Sequence, residues 1–167
     1  MISGRSVTAM FLPTALLMII ASSAQATPTR PLPLRERFKG SLAVMPALAP
    51  EDRCNEPALL LSYDGEGTMS HLGQVTWSSN HCNYLTPEGY PSGRYGEADL
   101  VIVAASGDEI HATYDGHQID DTRYLDLMRI TGGTGPFAEA RGAALEIVTL
   151  DLATFDLWLR GWGWISY

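Results

Sequence analysis

The residues with the most chemical promise lie around a glycine-rich stretch, Ile130-Thr131-Gly132-Gly133-Thr134-Gly135-Pro136-Phe137-Ala138. Within it, Gly133-x-Gly135-x-x-Ala138 matches the loop that cradles a dinucleotide pyrophosphate, where glycines let the backbone approach the phosphates at a helix start. The chain beyond the loop argues against that chemistry. A dinucleotide domain continues with alternating strands and helices, whereas the remaining residues, 139–167, read as two strands. No cofactor is expected. The four histidines, His71, His81, His111 and His117, form neither an H-x-H nor an H-E-x-x-H spacing, so no metal site is expected. Asp108, Glu109 and His111 could form a local acid–base group, but Gly107-Asp108-Glu109 is also ordinary turn chemistry, the favoured reading. Asp120-Asp121 reads as a solvated loop pair, and none of the serines sits in a G-x-S-x-G elbow. No catalytic residue is assigned. The candidate ligand contacts are His71, beside a turn, together with His111, Tyr114 and Trp158.

The elements that must position these residues read as β throughout. Strands are expected over Phe38–Val44, Ala58–Tyr63, Leu72–Trp77, Ala98–Ala105, Ile110–Tyr114, Arg123–Thr131, Ala143–Leu150 and Phe155–Tyr167. Pro46, Pro50 and Pro57 make residues 45–57 a loop. Two prolines and three glycines do the same for residues 83–96. In the last strand Leu157, Leu159, Ile165 and Tyr167 share one face, and Trp158, Trp162 and Trp164 share the other. Neither face is then simply solvated: one lines a core or cavity, and the other meets a partner, unless the tryptophans fill a lumen. Eight strands and no long helix predict an all-β fold, a single closed antiparallel barrel without exposed edges, with a short helical turn near 136–141.

The amino terminus reads as a signal peptide over residues 1–26. Arg5 precedes an apolar run from Ala9 to Ala21, and Ala24-Gln25-Ala26 offers a cleavage site. No cysteine stands at that site to carry a lipid anchor. A proline-rich extended leader over 27–37 and a barrel domain over 38–167 complete the organisation. Export to the periplasm or the outside is then expected, and losing Arg5 takes the formal charge from −8 to −9. Such an acidic chain, with its bases scattered singly, is a poor partner for nucleic acid or anionic lipid. After cleavage no membrane insertion is expected. In an oxidising compartment Cys54 and Cys82 are expected to form a disulfide. A hairpin pairing them is centred on Thr68, inside the turn-like Gly65-Glu66-Gly67-Thr68, so the thiols would face each other where it opens.

Two glycine blocks carry a family resemblance. Ile130-Thr131-Gly132-Gly133-Thr134-Gly135-x-Phe137 with Ala140-Arg141-Gly142 resembles the glycine corner of allene oxide cyclase-like and dirigent-like barrels. Gly65-x-Gly67-x-x-Ser70-His71-Leu72-Gly73 resembles a motif of small exported bacterial proteins with such barrels. The resemblance covers most of residues 38–167. Pro136 stands where relatives often carry a basic residue, and Glu139 where glycine is usual. The corner Gly132, Gly133 and Gly135 is then a structural device, with Phe137 as a plug in one barrel end. The resemblance implies function through a cavity rather than a motif, because these barrels steer reactive apolar or phenolic molecules mainly by shape. Three readings are open. The leading one is an exported barrel that binds an apolar or aromatic small molecule. The others are a cyclase-like or dirigent-like enzyme, and an interaction module using the tryptophan-bearing last strand. Self-association is expected from the resemblance alone.

Overall fold

The computed structural model of the protein describes residues 30–167. The expected signal peptide, residues 1–26, lies outside the described residues. Eight strands succeed one another: β1 (Leu32–Leu48), β2 (Ala58–Met69), β3 (Gly73–Leu85), β4 (Pro91–Ala104), β5 (Glu109–Gln118), β6 (Arg123–Gly133), β7 (Arg141–Leu150) and β8 (Asp156–Ser166). Each pairs antiparallel with its neighbours in sequence, and β1 also pairs with β8, closing the barrel. Closure stems from the period-two pattern. A sheet with one apolar face rolls up to bury it, and in doing so satisfies the edge N–H and C=O groups of β1 and β8.

The alternation is clearest in β8. Leu157 and Ile165 are buried inside, while Trp158, Trp162 and Trp164 point outward and stay 46%, 51% and 44% exposed. These three do not fill the lumen, because the strand's parity sends them to the side opposite the leucines. β1 behaves alike: Leu34, Glu36 and Phe38 are buried, and Arg35, Arg37 and Lys39 are exposed.

One end of the barrel is packed solid. The fully buried Leu34, Met69, Ile102, Ile110 and Ile165 fill it, each contributing roughly 1.5–3 kcal/mol by leaving water. The glycine corner closes that end. β6 stops at Gly133, a 3₁₀ turn spans Gly135–Phe137, and the chain re-enters the sheet as β7. Gly135 has φ +51°, a left-handed value that a side chain resists, and a Cβ there would press on the Asp108 carboxylate. Two hydrogen bonds tie the corner to β5: Thr134 N–H to Glu109 O (2.9 Å) and Glu109 N–H to Thr134 Oγ1 (2.8 Å). Phe137 is buried against the core and meets Tyr167 edge-on at 4.9 Å.

Several boundaries differ from the expectation. β1 begins at Leu32, well before Phe38, because residues 32–37 pair with β8. β2 continues past Gly65 and Gly67 to Met69, so the hairpin turns at Ser70-His71-Leu72 rather than around Thr68. In that register Cys82 sits opposite Leu60, not Cys54. The Cys54–Cys82 disulfide nevertheless forms, with Cα atoms 6.0 Å apart, because the loop between β1 and β2 folds back over the mouth end of β3. Residues 83–96 are not simply a loop: β3 runs to Leu85 and β4 starts at Pro91. Register shifts between Asn80 and Cys82 and between Tyr95 and Leu100 absorb the glycines there.

Candidate functional site in the barrel lumen

The half of the barrel away from the corner encloses a cavity of about 80 Å³. That is room for several waters, or for one end of a small ligand, at ~10–15 Å³ per water. Apolar and aromatic side chains dominate its wall, with Phe38, Leu61, Trp77, Leu100, Val148 and Leu157 prominent among them. Half-buried Asn83, Tyr124, Leu150 and Leu159 stand at its mouth.

The acids of the wall, Asp126 and Glu146, belong with Tyr95 to one row of cross-strand neighbours that continues behind the cavity to Glu36. Tyr95 on β4 pairs with Gly116 on β5, Gly116 with Asp126 on β6, and Asp126 with Glu146 on β7. Glu146 pairs in turn with Gly161 on β8, and Gly161 with Glu36 on β1. All share the inward parity of their strands, so six neighbouring strands contribute to one interior belt. The two glycines are gaps in it. A Cβ on Gly116 would collide with both Tyr95 and Asp126, and one on Gly161 would collide with the Glu36 carboxyl. Without those side chains, Tyr95 donates a short hydrogen bond to Asp126 across β5, and Glu36 faces Glu146 across β8.

Burial sets the chemistry of this belt. Glu36, Asp126 and Glu146 are all under 4% exposed, and among the described residues no ion pair reaches them. Burial pushes Asp126 up to about 7, against the pull of the Tyr95 hydrogen bond. Burial, and then the Glu36 charge, hold Glu146 well above the usual carboxylate range. Glu36 is raised by burial too, offset by its contact with Glu146. The two glutamates can share a proton when one carries it; ionised, they cannot. Without that proton, Glu36 Oε1 and Oε2 and Glu146 Oε1 have no hydrogen-bond partner. Trp77 Nε1 is likewise buried without an acceptor.

Aromatic groups surround the acids. His81 stacks on Tyr95 at 4.7 Å and meets Tyr114 at 5.7 Å, and Tyr95 lies 5.7 Å from Tyr124. The Tyr114 hydroxyl is shared between His81 Nδ1 (2.7 Å) and Ser79 Oγ (3.1 Å). Burial lowers His81 to about 4, aided by the Arg53 charge, so its ring is neutral at ordinary pH. Burial raises Tyr63 to about 12 and holds Tyr114 and Tyr95 well above the usual phenol value, which keeps their hydroxyls as donors.

Of the four candidate contacts, only Tyr114 lines this cavity. His71 is exposed at the turn between β2 and β3, at the corner end, with Nε2 3.0 Å from Pro33 O. His111 lies on the outer face, where it pairs with Glu109 at 2.7 Å. Trp158 is also outside, lining a surface groove with Arg37, Lys39 and Arg160. Parity separates them: a residue one step along a strand from an inward neighbour faces the solvent. The belt residues Glu36, Tyr95, Asp126 and Glu146 were not candidates. Glu36 falls in the expected leader and Tyr95 in an expected loop. Asp126 and Glu146 share the inward parity of Met128, Ile130, Ala144 and Val148, a readable signal of a buried acid.

No protein-family model matches the sequence, and none of the curated proteins compared with it matches. Among solved structures, the pterocarpan synthase dirigent protein PsPTS1 superposes with a TM-score of 0.55 at 13% identity, covering 85% of this chain and 98% of that one. A second pterocarpan synthase dirigent protein, GePTS1, superposes with a TM-score of 0.54 at 14% identity, covering 86% and 88%. At such identity the likeness is one of fold, and by fold this chain is a dirigent-like, eight-stranded antiparallel β-barrel.

Proposed function

We propose that the protein is an exported binding protein that takes the apolar or aromatic body of a small molecule into its barrel lumen. The observation that carries this reading is the cavity itself. One half of the barrel is packed solid, whereas the other keeps an aromatic-walled space that includes the buried acids Asp126 and Glu146 and the Trp77 ring, whose Nε1 has no acceptor. Leaving buried polar atoms unpaired costs about 1–3 kcal/mol each, and a ligand or ordered water that satisfies them recovers part of it. The Cys54–Cys82 disulfide fits an oxidising compartment and supports the exported location.

A second reading, a cyclase-like or dirigent-like enzyme steering a reactive intermediate, is favoured by one feature. Glu146 and Asp126 line the cavity and hold protons near neutral pH, so they could pass one to a ligand held against them. Native mass spectrometry of the exported protein, followed by extraction of the bound fraction, tests both. A retained small molecule, lost in a Leu157→Phe variant that fills the cavity, supports lumen binding. An unchanged ligand weighs against turnover, and no retained or exchangeable ligand of any kind contradicts the proposal.

A further inference from the structure

The interior belt has a sign. Three carboxyls, Glu36, Asp126 and Glu146, face the lumen side of one barrel, and the cavity wall contains neither lysine nor arginine. The one basic ring present, His81, is buried and stacked between Tyr63 and Tyr95, which leaves it uncharged. Glu146 lines the cavity and is 1% exposed; behind it Glu36 holds its carboxyl against it across Gly161, and among the described residues no other side chain donates to the pair. Around these acids stand the rings of Tyr63, Tyr95, Tyr114 and Tyr124, whose negative π-faces attract cations.

We infer that the lumen is selective for a cationic ligand: a protonated or quaternary amine whose charged head lies against Asp126 and Glu146 and whose apolar body fills the aromatic part of the cavity. This rests on the lumen-binding reading above and names its substrate class. Electrostatics decides the class. A carboxylate or phosphate ligand would place a negative charge among three buried acids, none of which could then ionise, with no compensating base. A neutral ligand would leave the acids protonated, gaining hydrogen bonds but no charge pairing. An ammonium head pairs with a carboxylate that burial otherwise disfavours, and it donates to Glu146 oxygens that otherwise have only the proton shared with Glu36. A metal ion fits less well, since among the described residues no three His, Cys, Asp or Glu groups converge as ligands.

Binding of this kind is linked to protons. Asp126 faces Tyr95 from β4, Tyr114 from β5 and Glu146 from β7, with Glu36 from β1 beyond Gly161. His81 from β3 and Tyr63 from β2 complete the titratable groups of the wall, and β8 offers only Gly161 and leucines. The tyrosines and His81 do not change charge between about pH 5.5 and about pH 8, so the carboxyls carry the response.

The test uses three probes with one body and three heads: phenethylamine, 2-phenylethanol and phenylacetate, titrated into the mature protein by calorimetry at physiological salt. At about pH 8 phenethylamine should bind more than tenfold tighter than 2-phenylethanol, with phenylacetate weakest. Lowering the pH to about 5.5 should weaken phenethylamine by more than about tenfold while 2-phenylethanol holds steady, since a pKa step of one unit is a tenfold factor. Asp126→Asn should bring phenethylamine down to the alcohol's affinity, and if that variant fails to fold, the wild-type pH comparison decides. If 2-phenylethanol binds as tightly as phenethylamine, the inference is overturned and lumen binding stands. If phenethylamine binds equally well to Asp126→Asn and to Leu157→Phe, its attraction is to the acidic exterior and the inference is overturned. If none of the three binds, the lumen-binding reading falls with it.

Discussion

A carboxyl buried without a cation stays protonated to higher pH than it would in the unfolded chain, and this ties Asp126 to the stability of the barrel. Its folded value is about 7 against an ordinary 3.8. The folded state therefore holds a proton that the unfolded state releases above about pH 4. Its contribution is fully favourable below the unfolded value and declines as pH rises toward 7. The slope belonging to one proton is about 1.4 kcal/mol per pH unit at most. His81 acts the other way, because its folded value of about 4 lies below its ordinary 6.5 and stability is lost as pH falls across that interval. The difference between wild type and Asp126→Asn isolates the carboxyl. Denaturant unfolding from pH 4 to pH 8 should show the wild type losing stability relative to Asp126→Asn as pH rises. Parallel curves for the two proteins would mean that Asp126 ionises freely in the folded state. None of this was readable at the residue scale from motifs. A buried acid leaves no spacing signature; only its strand parity marks it.

At the scale of elements, the belt depends on strands that leave space for their neighbours. Gly161 on β8 stands between Glu36 and Glu146, and a methyl there meets the Glu36 carboxyl. Gly161→Ala should destabilise the barrel by roughly 1–3 kcal/mol, in the range of overpacking in a closed core. Adding Glu36→Ala should recover much of that loss, and a double-mutant cycle in urea measures the coupling. Additive effects would show that Gly161 is needed for some reason other than room for Glu36. The sequence was most legible where alternation is regular. In β6, β7 and β8 the expected strands lie within a few residues of the observed ones. It was least legible at β3 and β4, where Pro87, Gly89, Pro91, Gly93 and Gly96 look like a loop. The register shifts there let the strands keep pairing, and Tyr95 reaches the lumen from within that stretch. The hairpin turn was misplaced for a related reason: Gly65 and Gly67 sit in β2 because β1 packs too closely for side chains, not because the chain turns.

At the scale of the whole molecule, two features sit apart from the lumen. The disulfide holds the loop before β2 against β3 at the mouth end of the barrel. Its removal in a Cys54→Ser, Cys82→Ser protein should lower stability by roughly 3–4 kcal/mol in the chain-entropy treatment, seen as a lower urea midpoint. An unchanged midpoint would mean that this loop contributes no constraint. The exterior carries the other feature. Trp158, Trp162 and Trp164 stand on β8 beside Arg35, Arg37 and Lys39 on β1, an exposed aromatic and basic face on a chain of net charge −8. The barrel class, the outward tryptophans' separation from the leucines and the corner were all visible as patterns. The contents of the lumen were not, because they come from single residues on six strands that only the closed register brings together.

Everything proposed for this protein depends on a small molecule binding inside the barrel rather than on its tryptophan-bearing outside. Ligand titration by NMR separates the two surfaces, using phenethylamine and 2-phenylethanol with the wild type, Leu157→Phe and Trp158→Ala. Lumen binding predicts shifts at Trp77, Tyr114 and their lumen neighbours, abolished by Leu157→Phe and unchanged by Trp158→Ala. Binding that survives Leu157→Phe and disappears with Trp158→Ala would contradict it.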